Sequence, residues 1–167
     1  ELVLRTPDSY IRTQADMDLS AVAEQPQGKM SARLMGELGK QDVLLFAGRL
    51  PPAFVKAYPN SPVILRLSAD GNLDTLNLTT VEARLAGAFE LKADGKMFRL
   101  ADSVRRSGHV NLNLRTRNLD FARALAGEEA LKDIALPPMR LDGNVGLNGQ
   151  KYTADLRLRG GKGNVQV

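Results

Sequence analysis

Any chemistry in this chain has to start from very few residues. There is one histidine, His109, and no cysteine. Thiol catalysis, a disulfide scaffold and zinc sites built on Cys are therefore excluded, and a single imidazole leaves almost nothing from which to assemble a transition-metal site. His109 precedes an apolar-alternating stretch at Val110, with no Ser, Cys or paired carboxylate at a motif spacing. It reads as an exposed strand-edge side chain and not as a general base. Gly160-Gly161-Lys162-Gly163 has the composition of a phosphate loop, but the Walker spacing is missing and no helix follows, so it reads as a link between strands. Asn77-Leu78-Thr79 matches the glycosylation acceptor triplet formally. No nucleophile, metal cluster or acid/base pair emerges, and the expectation is a non-enzyme with no cofactor and no metal.

The composition shows what must be positioned instead. At 167 residues, 43% hydrophobic and 25% charged, the chain is the size and type of one globular unit, too apolar for disorder. The apolar fraction is unusual in kind: 26 leucines stand against 5% aromatic residues and no Trp, so aliphatic side chains must line whatever interior exists. No run reaches the roughly 18 apolar residues needed to span a bilayer. Glu1 is neither a start Met nor the opening of a signal peptide, and the chain reads as a segment of a longer protein, residues 1–167 forming one continuous unit of it. Its 23 basic and 19 acidic residues are interspersed without a basic run. A net charge of +4 and a pI of about 9.6 therefore do not by themselves indicate a nucleic-acid partner, and none is expected.

Internal similarity carries more information. Arg-Leu-x-Gly occurs as Arg33-Leu34-Met35-Gly36, Arg84-Leu85-Ala86-Gly87 and Arg140-Leu141-Asp142-Gly143, at spacings of 51 and 56 residues. Upstream of the second and third copies, Val63-x-Leu65-x-Leu67 leads to Asn72-Leu73-Asp74, and Val110-x-Leu112-x-Leu114 leads to Asn118-Leu119-Asp120. The first copy has a weaker version, alternating from Ile11 to Met17 and then Asp18-Leu19. Approximate repeats over 10–50, 63–100 and 110–159 follow, each a strand, a short helix or loop, and a hairpin.

Alternation supports the strands. Ala83, Leu85, Gly87, Phe89, Leu91 and Ala93 form one face of a stretch whose other face holds Arg84, Glu90 and Lys92. Met139, Leu141, Val145 and Leu147 oppose Arg140, Asp142, Asn144 and Asn148 in the same way. Asp94-Gly95 and Asn148-Gly149 are predicted to be type I′ hairpin turns, returning as Met97–Leu100 and Tyr152–Arg159. In the first copy Gly39–Asp42 is read as a looser turn, with Leu44, Phe46 and Leu50 on the returning face. Helical signals are short: one after Asn118 or Asp120 running to Leu125 and on to Lys132, one at Ala53–Tyr58, one at Asp102–Arg106. Residues 163–167 start a further strand. The expectation is mainly β: about ten strands and two to five short helices.

Helices this short cannot cover ten strands, so the apolar face must close on itself or curve into a trough that holds something else. The arrangement of alternating strands, Asn-Leu-Asp, a short link and Arg-Leu-x-Gly before a hairpin resembles the repeat region of the AsmA-like superfamily, most of all its TamB translocation and assembly modules. That resemblance implies a curved antiparallel β-taco in a periplasmic segment of an inner-membrane-anchored protein of a Gram-negative bacterium. It implies phospholipid acyl chains as the cargo, carried along an apolar groove between inner and outer membranes in support of outer-membrane biogenesis and protein secretion. An alternative within the same resemblance is a chaperone-like module whose strand edges assist an outer-membrane β-barrel or adhesin. The groove candidates are the inward set: Leu34, Leu38, Leu44, Phe46, Leu65, Leu67, Leu85, Phe89, Leu91, Val110, Leu112, Leu114, Leu141, Val145, Leu147, Leu156 and Leu158. Periodicity assigns the same residues to a dry core and to a lipid-lined trough. Buried area separates the two, because a closed globule of about 150 residues buries roughly 68–70% of its unfolded surface and an open trough buries less.

Overall fold

The computed structural model describes residues 1–18, 28–46, 48, 50–121, 137–161 and 163–166, with the backbone alone described for Phe46 and for residues 163–166. Ten strands form one antiparallel sheet: β1 (Leu2–Arg5), β2 (Tyr10–Met17), β3 (Met30–Leu38), β4 (Val63–Gly71), β5 (Thr75–Leu85), β6 (Phe89–Phe98), β7 (Ser107–Thr116), β8 (Met139–Asn148), β9 (Lys151–Gly160) and β10 (Gly163–Gln166). Each strand pairs with its neighbour in sequence, and β1 does not meet β10, so the sheet stays open. Two short helices, α1 (Lys40–Phe46) and α2 (Pro52–Ala57), lie between β3 and β4. The expected mainly β class with antiparallel pairing is the one the chain adopts.

One irregularity keeps the faces in phase. In β5 the apolar residues are even-numbered at Leu76 and Leu78 and odd-numbered at Val81, Ala83 and Leu85. The pairing absorbs the change: Ser68 faces Thr80 while Ala69 faces Leu78, which leaves Thr79 as an extra residue whose hydroxyl donates to the Ser68 carbonyl at 3.1 Å. This is a β-bulge, which inserts one residue and re-aims the chain. Across it, both halves of β5 present their apolar side chains to the same side.

The turns differ from the expectation in instructive ways. Asp94-Gly95 is not a turn but lies inside β6, where Gly95 pairs with both Leu78 and Val110. A Cβ at Gly95 would lie 2.3 Å from the His109 carbonyl, so the glycine serves close backbone approach beside the bulge. The reversal falls at residues 86–88: Ala88 N–H donates to the Leu85 carbonyl at 3.0 Å, and Gly87 takes φ 76°, the left-handed value a type II turn needs at that position. What alternation reads as one strand from Ala83 to Ala93 is thus the meeting of β5 and β6. Asn148-Gly149 does mark a reversal, but Asn148 pairs with Lys151 and the loop is Gly149-Gln150. Only Gly149 has positive φ, at 61°, which fits a type II′ turn instead of type I′.

Leu44 and Phe46 are not on a returning strand; both belong to α1. The run Val43-Leu44-Leu45-Phe46 has no alternation, and the helix sends Val43 and Leu44 inward and leaves Leu45 76% exposed. Asp102–Arg106 is a turn and not a helix, pinned by the Asp102 carboxylate accepting from the N–H groups of Val104 and Arg105. The helix expected from Asn118 to Lys132 falls mostly on residues 122–136, outside the described residues. The three Arg-Leu-x-Gly tetrads occupy different places: the body of β3, the end of β5 with its turn, and the start of β8. Arg33, Arg84 and Arg140 nonetheless all point to the polar side, opposite their leucines.

Candidate functional site

The sheet has two chemically distinct faces. Following the register from β3 to β9, directly opposed residues define rows that cross the strands. One row runs Gly36, Leu65, Ala83, Leu91, Leu114, Leu141, Leu158. The next runs Leu34, Leu67, Val81, Ala93, Leu112, Gly143, Leu156. A third runs Ala32, Ala69, Leu78, Gly95, Val110, Val145, Ala154, and a fourth Met30, Gly71, Leu76, Met97, Gly108, Leu147, Tyr152. At the helical end a further row holds Leu38, Val63, Leu85, Phe89 and Thr116. Among the described residues, Thr13, Thr116 and the Tyr152 phenol bring side-chain polarity to this face, and the Thr116 hydroxyl accepts the Met139 N–H at 2.9 Å. From Phe89 to Met97 the face is about 27 Å broad, and ten strands extend it about 43 Å.

Among the described residues, the packed cluster is at the helical end. Phe54 of α2 and Tyr58 just after it meet Phe121, with ring centroids 5.3–5.6 Å apart, and the three close over Val63, Leu85 and Ala88. Among the described residues, Leu85 is the one large side chain that is fully buried, 1% exposed. Local bonds hold the plug in place. The Lys40 ammonium donates to the Tyr58 carbonyl at 2.7 Å, and Arg117 N–H donates to the Ala88 carbonyl at 2.7 Å, tying the β5–β6 turn to the segment that delivers Phe121. Thr6 and Ser9 donate their hydroxyls to the Asp42 carboxylate, which fastens the β1–β2 turn to α1 and holds the Asp42 carboxyl below its ordinary pKa. Burial pushes the Tyr58 phenol above its ordinary value.

The sequence-predicted groove residues sort accordingly. Leu34, Leu67, Leu91, Val110, Leu112, Leu114, Leu141, Val145, Leu147, Leu156 and Leu158 share the part of the face outside the plug, and each is half-buried. Leu38, Leu65 and Phe89 border the plug, Leu85 lies beneath it, and Leu44 packs on it from α1. These five serve the dry end. The Phe46 side chain lies outside the described residues. Pattern reading missed Ile11, Met17, Met30, Leu76, Leu78, Val81 and Met97, which extend the same face. The phase change at Thr79-Thr80 was the signal that could have recovered the β5 members.

The chain exposes 11540 Å², against about 8,100 Å² for a compact monomer of this mass. It buries roughly 56% of its extended-chain surface, short of the roughly 68–70% of a closed domain. His109 is exposed on the polar face, opposite Lys96 and Gly146. Among the described residues no cluster of three His, Cys, Asp or Glu side chains could hold a metal ion, and no helix is long and apolar enough to cross a membrane. No protein-family model matches the chain, and neither a curated protein nor a solved structure matches it.

Proposed function

We propose that the open apolar face is a lipid-binding trough, and that the chain is a periplasmic segment of an inner-membrane-anchored protein that passes phospholipid acyl chains between two membranes. One observation carries the reading: four consecutive rows of aliphatic side chains cross the strands and no element of the described chain covers them. The rings of Phe54, Tyr58, Phe89 and Phe121 gather at the plug, while Leu, Val, Ala and Met line the rest, with Tyr152 at the far row. Flexible aliphatic side chains suit a disordered acyl chain, which gains about 0.8 kcal/mol per methylene on leaving water. Headgroups stay solvated at the open rim. The process needs no bond chemistry.

The chain has no cysteine, so single-cysteine variants are free of background labelling. A photo-crosslinker at Leu112 or Val145 should capture phospholipid from a Gram-negative host through its acyl chains, and one at Asn111 or Asn144 on the opposite face should reach no acyl chain. Native mass spectrometry should show co-purified lipid that is lost in Leu112→Asp. Absence of co-purified lipid, or acyl-chain crosslinking equal from both faces, would overturn the trough.

A second reading has its own observation. Edge strand β1 leaves Leu2, Val3 and Leu4 exposed at 70%, 42% and 49%, with no Pro or Lys within it to discourage pairing. Strand addition by an outer-membrane β-protein would use this edge. Val3→Pro should then abolish partner binding and leave lipid capture at Leu112 intact.

A further inference from the structure

Basic and acidic residues are interspersed in the sequence, but the fold separates them on the polar face. Across β7, β8 and β9, Arg115 faces Arg140 and Arg140 faces Arg159, three arginines directly opposed in adjacent strands. Like charges placed opposite each other destabilise a sheet. Arg157 stands one row further along β9, opposite Asp142. Asp142 is the one carboxylate paired here, 3.0 Å from Arg140 and also accepting from Asn113. Arg115, Arg157 and Arg159 form no ion pair among the described residues. Glu90, beside Arg115, is engaged by Lys92 at 3.2 Å, and Lys92 above all, with Arg115 and Arg84, keeps its carboxyl below the ordinary range.

We infer that this arginine ladder is a docking site for the phosphates of an anionic membrane surface. The occupant follows from what surrounds the ladder. Guanidinium groups bind phosphate oxygens in pairs, and three in line at about 5 Å spacing present a row of such forks. The polar face of β7–β9 holds Asn, Asp, Ser, Thr, Gly, His109 and Lys151 besides the arginines, with no aliphatic or aromatic anchor. A protein partner would need such anchors at the centre of its interface, and a single-stranded nucleic acid would need rings to stack its bases. An array of phosphates needs neither. The inference rests on the polar face and stands apart from the trough reading, which rests on the opposite one.

The test is co-sedimentation of the whole chain with phosphatidylcholine vesicles with and without 30% phosphatidylglycerol, at low and high salt. Binding should depend on phosphatidylglycerol and weaken with salt. Replacing all three ladder residues (Arg115→Gln, Arg140→Gln, Arg159→Gln) should reduce it by roughly 100-fold, on the order of fivefold per arginine. A control with the same charge loss on the same face (Arg12→Gln, Arg33→Gln, Arg66→Gln) should lose far less. The ladder variant should melt no lower than the parent, since it relieves like-charge contact, so lost binding cannot be ascribed to unfolding. Equal loss in the two triple variants would reduce the effect to net charge and overturn the site. Binding without dependence on phosphatidylglycerol would overturn it as well. Tighter, ladder-dependent binding of a duplex nucleic acid than of vesicles would overturn the membrane as occupant. If lipid capture at Leu112 persists in the ladder variant, the two faces act separately; if vesicle docking persists in Leu112→Asp, failure of the trough leaves the ladder standing.

Discussion

Leu85 and Leu112 lie on the same face of the same sheet, two strands apart, and their surroundings differ entirely. Leu85 is 1% exposed under the Phe54–Tyr58–Phe121 plug, and Leu112 is half-buried and lies outside that cluster among the described residues. Both satisfy the same alternation, so the sheet backbone treats them alike. Coverage separates them, and coverage comes from two insertions at one end: α1 and α2 between β3 and β4, and the segment after β7 that brings Phe121. Apolar patterning therefore establishes which face a residue joins, and the placement of the connections establishes whether it becomes core.

The largest test of that contrast removes the plug. Phe121→Ala should cost about 3–5 kcal/mol in denaturant unfolding, because it opens a cavity in the one closed cluster. Leu85→Ala should cost about 2–5 kcal/mol, while Leu112→Ala should cost about 1 kcal/mol or less, since little packing is lost where no described element sits above. Equal losses at the two leucines would mean the open stretch is covered after all. The open stretch has a different sensitivity: a Cβ at Gly143 would come 2.2 Å from the Asp155 carbonyl, so Gly143→Ala should destabilise by about 1–3 kcal/mol although it adds apolar surface. There the limit is backbone approach and not side-chain packing. The smallest effect is electrostatic and confined to the plug. Tyr58 has its phenol pKa raised by burial, so its contribution is complete below the unfolded value near 10 and fades as pH rises through the higher folded value. A urea midpoint that falls above pH 10 in the parent and stays flatter in Tyr58→Phe is the expected result.

Strand alternation made the mainly β class and the membership of the apolar face legible, and eleven of the seventeen candidate residues lie on its open part. The errors came where a local signal had two physical uses. Asp94-Gly95 has turn composition, yet Gly95 is required because two backbones approach beside a bulge. Gly87 in the adjacent stretch, hidden within apparent alternation, is the residue that turns. The α1 segment looked like a returning strand because Leu44 and Phe46 are two apart, although Val43 and Leu45 between them break the period. The plug was not legible at all. It depends on contact between Phe54 and Phe121, 67 residues apart, and no local pattern encodes that.

The order of the strands has a consequence for how the molecule comes apart. Every strand pairs only with its sequence neighbours, so contacts are short in sequence for so large a sheet, and contact order is low. Such a chain behaves as a nearly one-dimensional array, able to fray inward from either edge without loss of the middle. Amide hydrogen exchange should then show a gradient and not a single global rate, slowest in β4–β6 beneath the aromatic rings and fastest toward β1 and β10. Lengthening or shortening the array by a hairpin would leave the remaining rungs in register, which a closed barrel of the same strands would not permit.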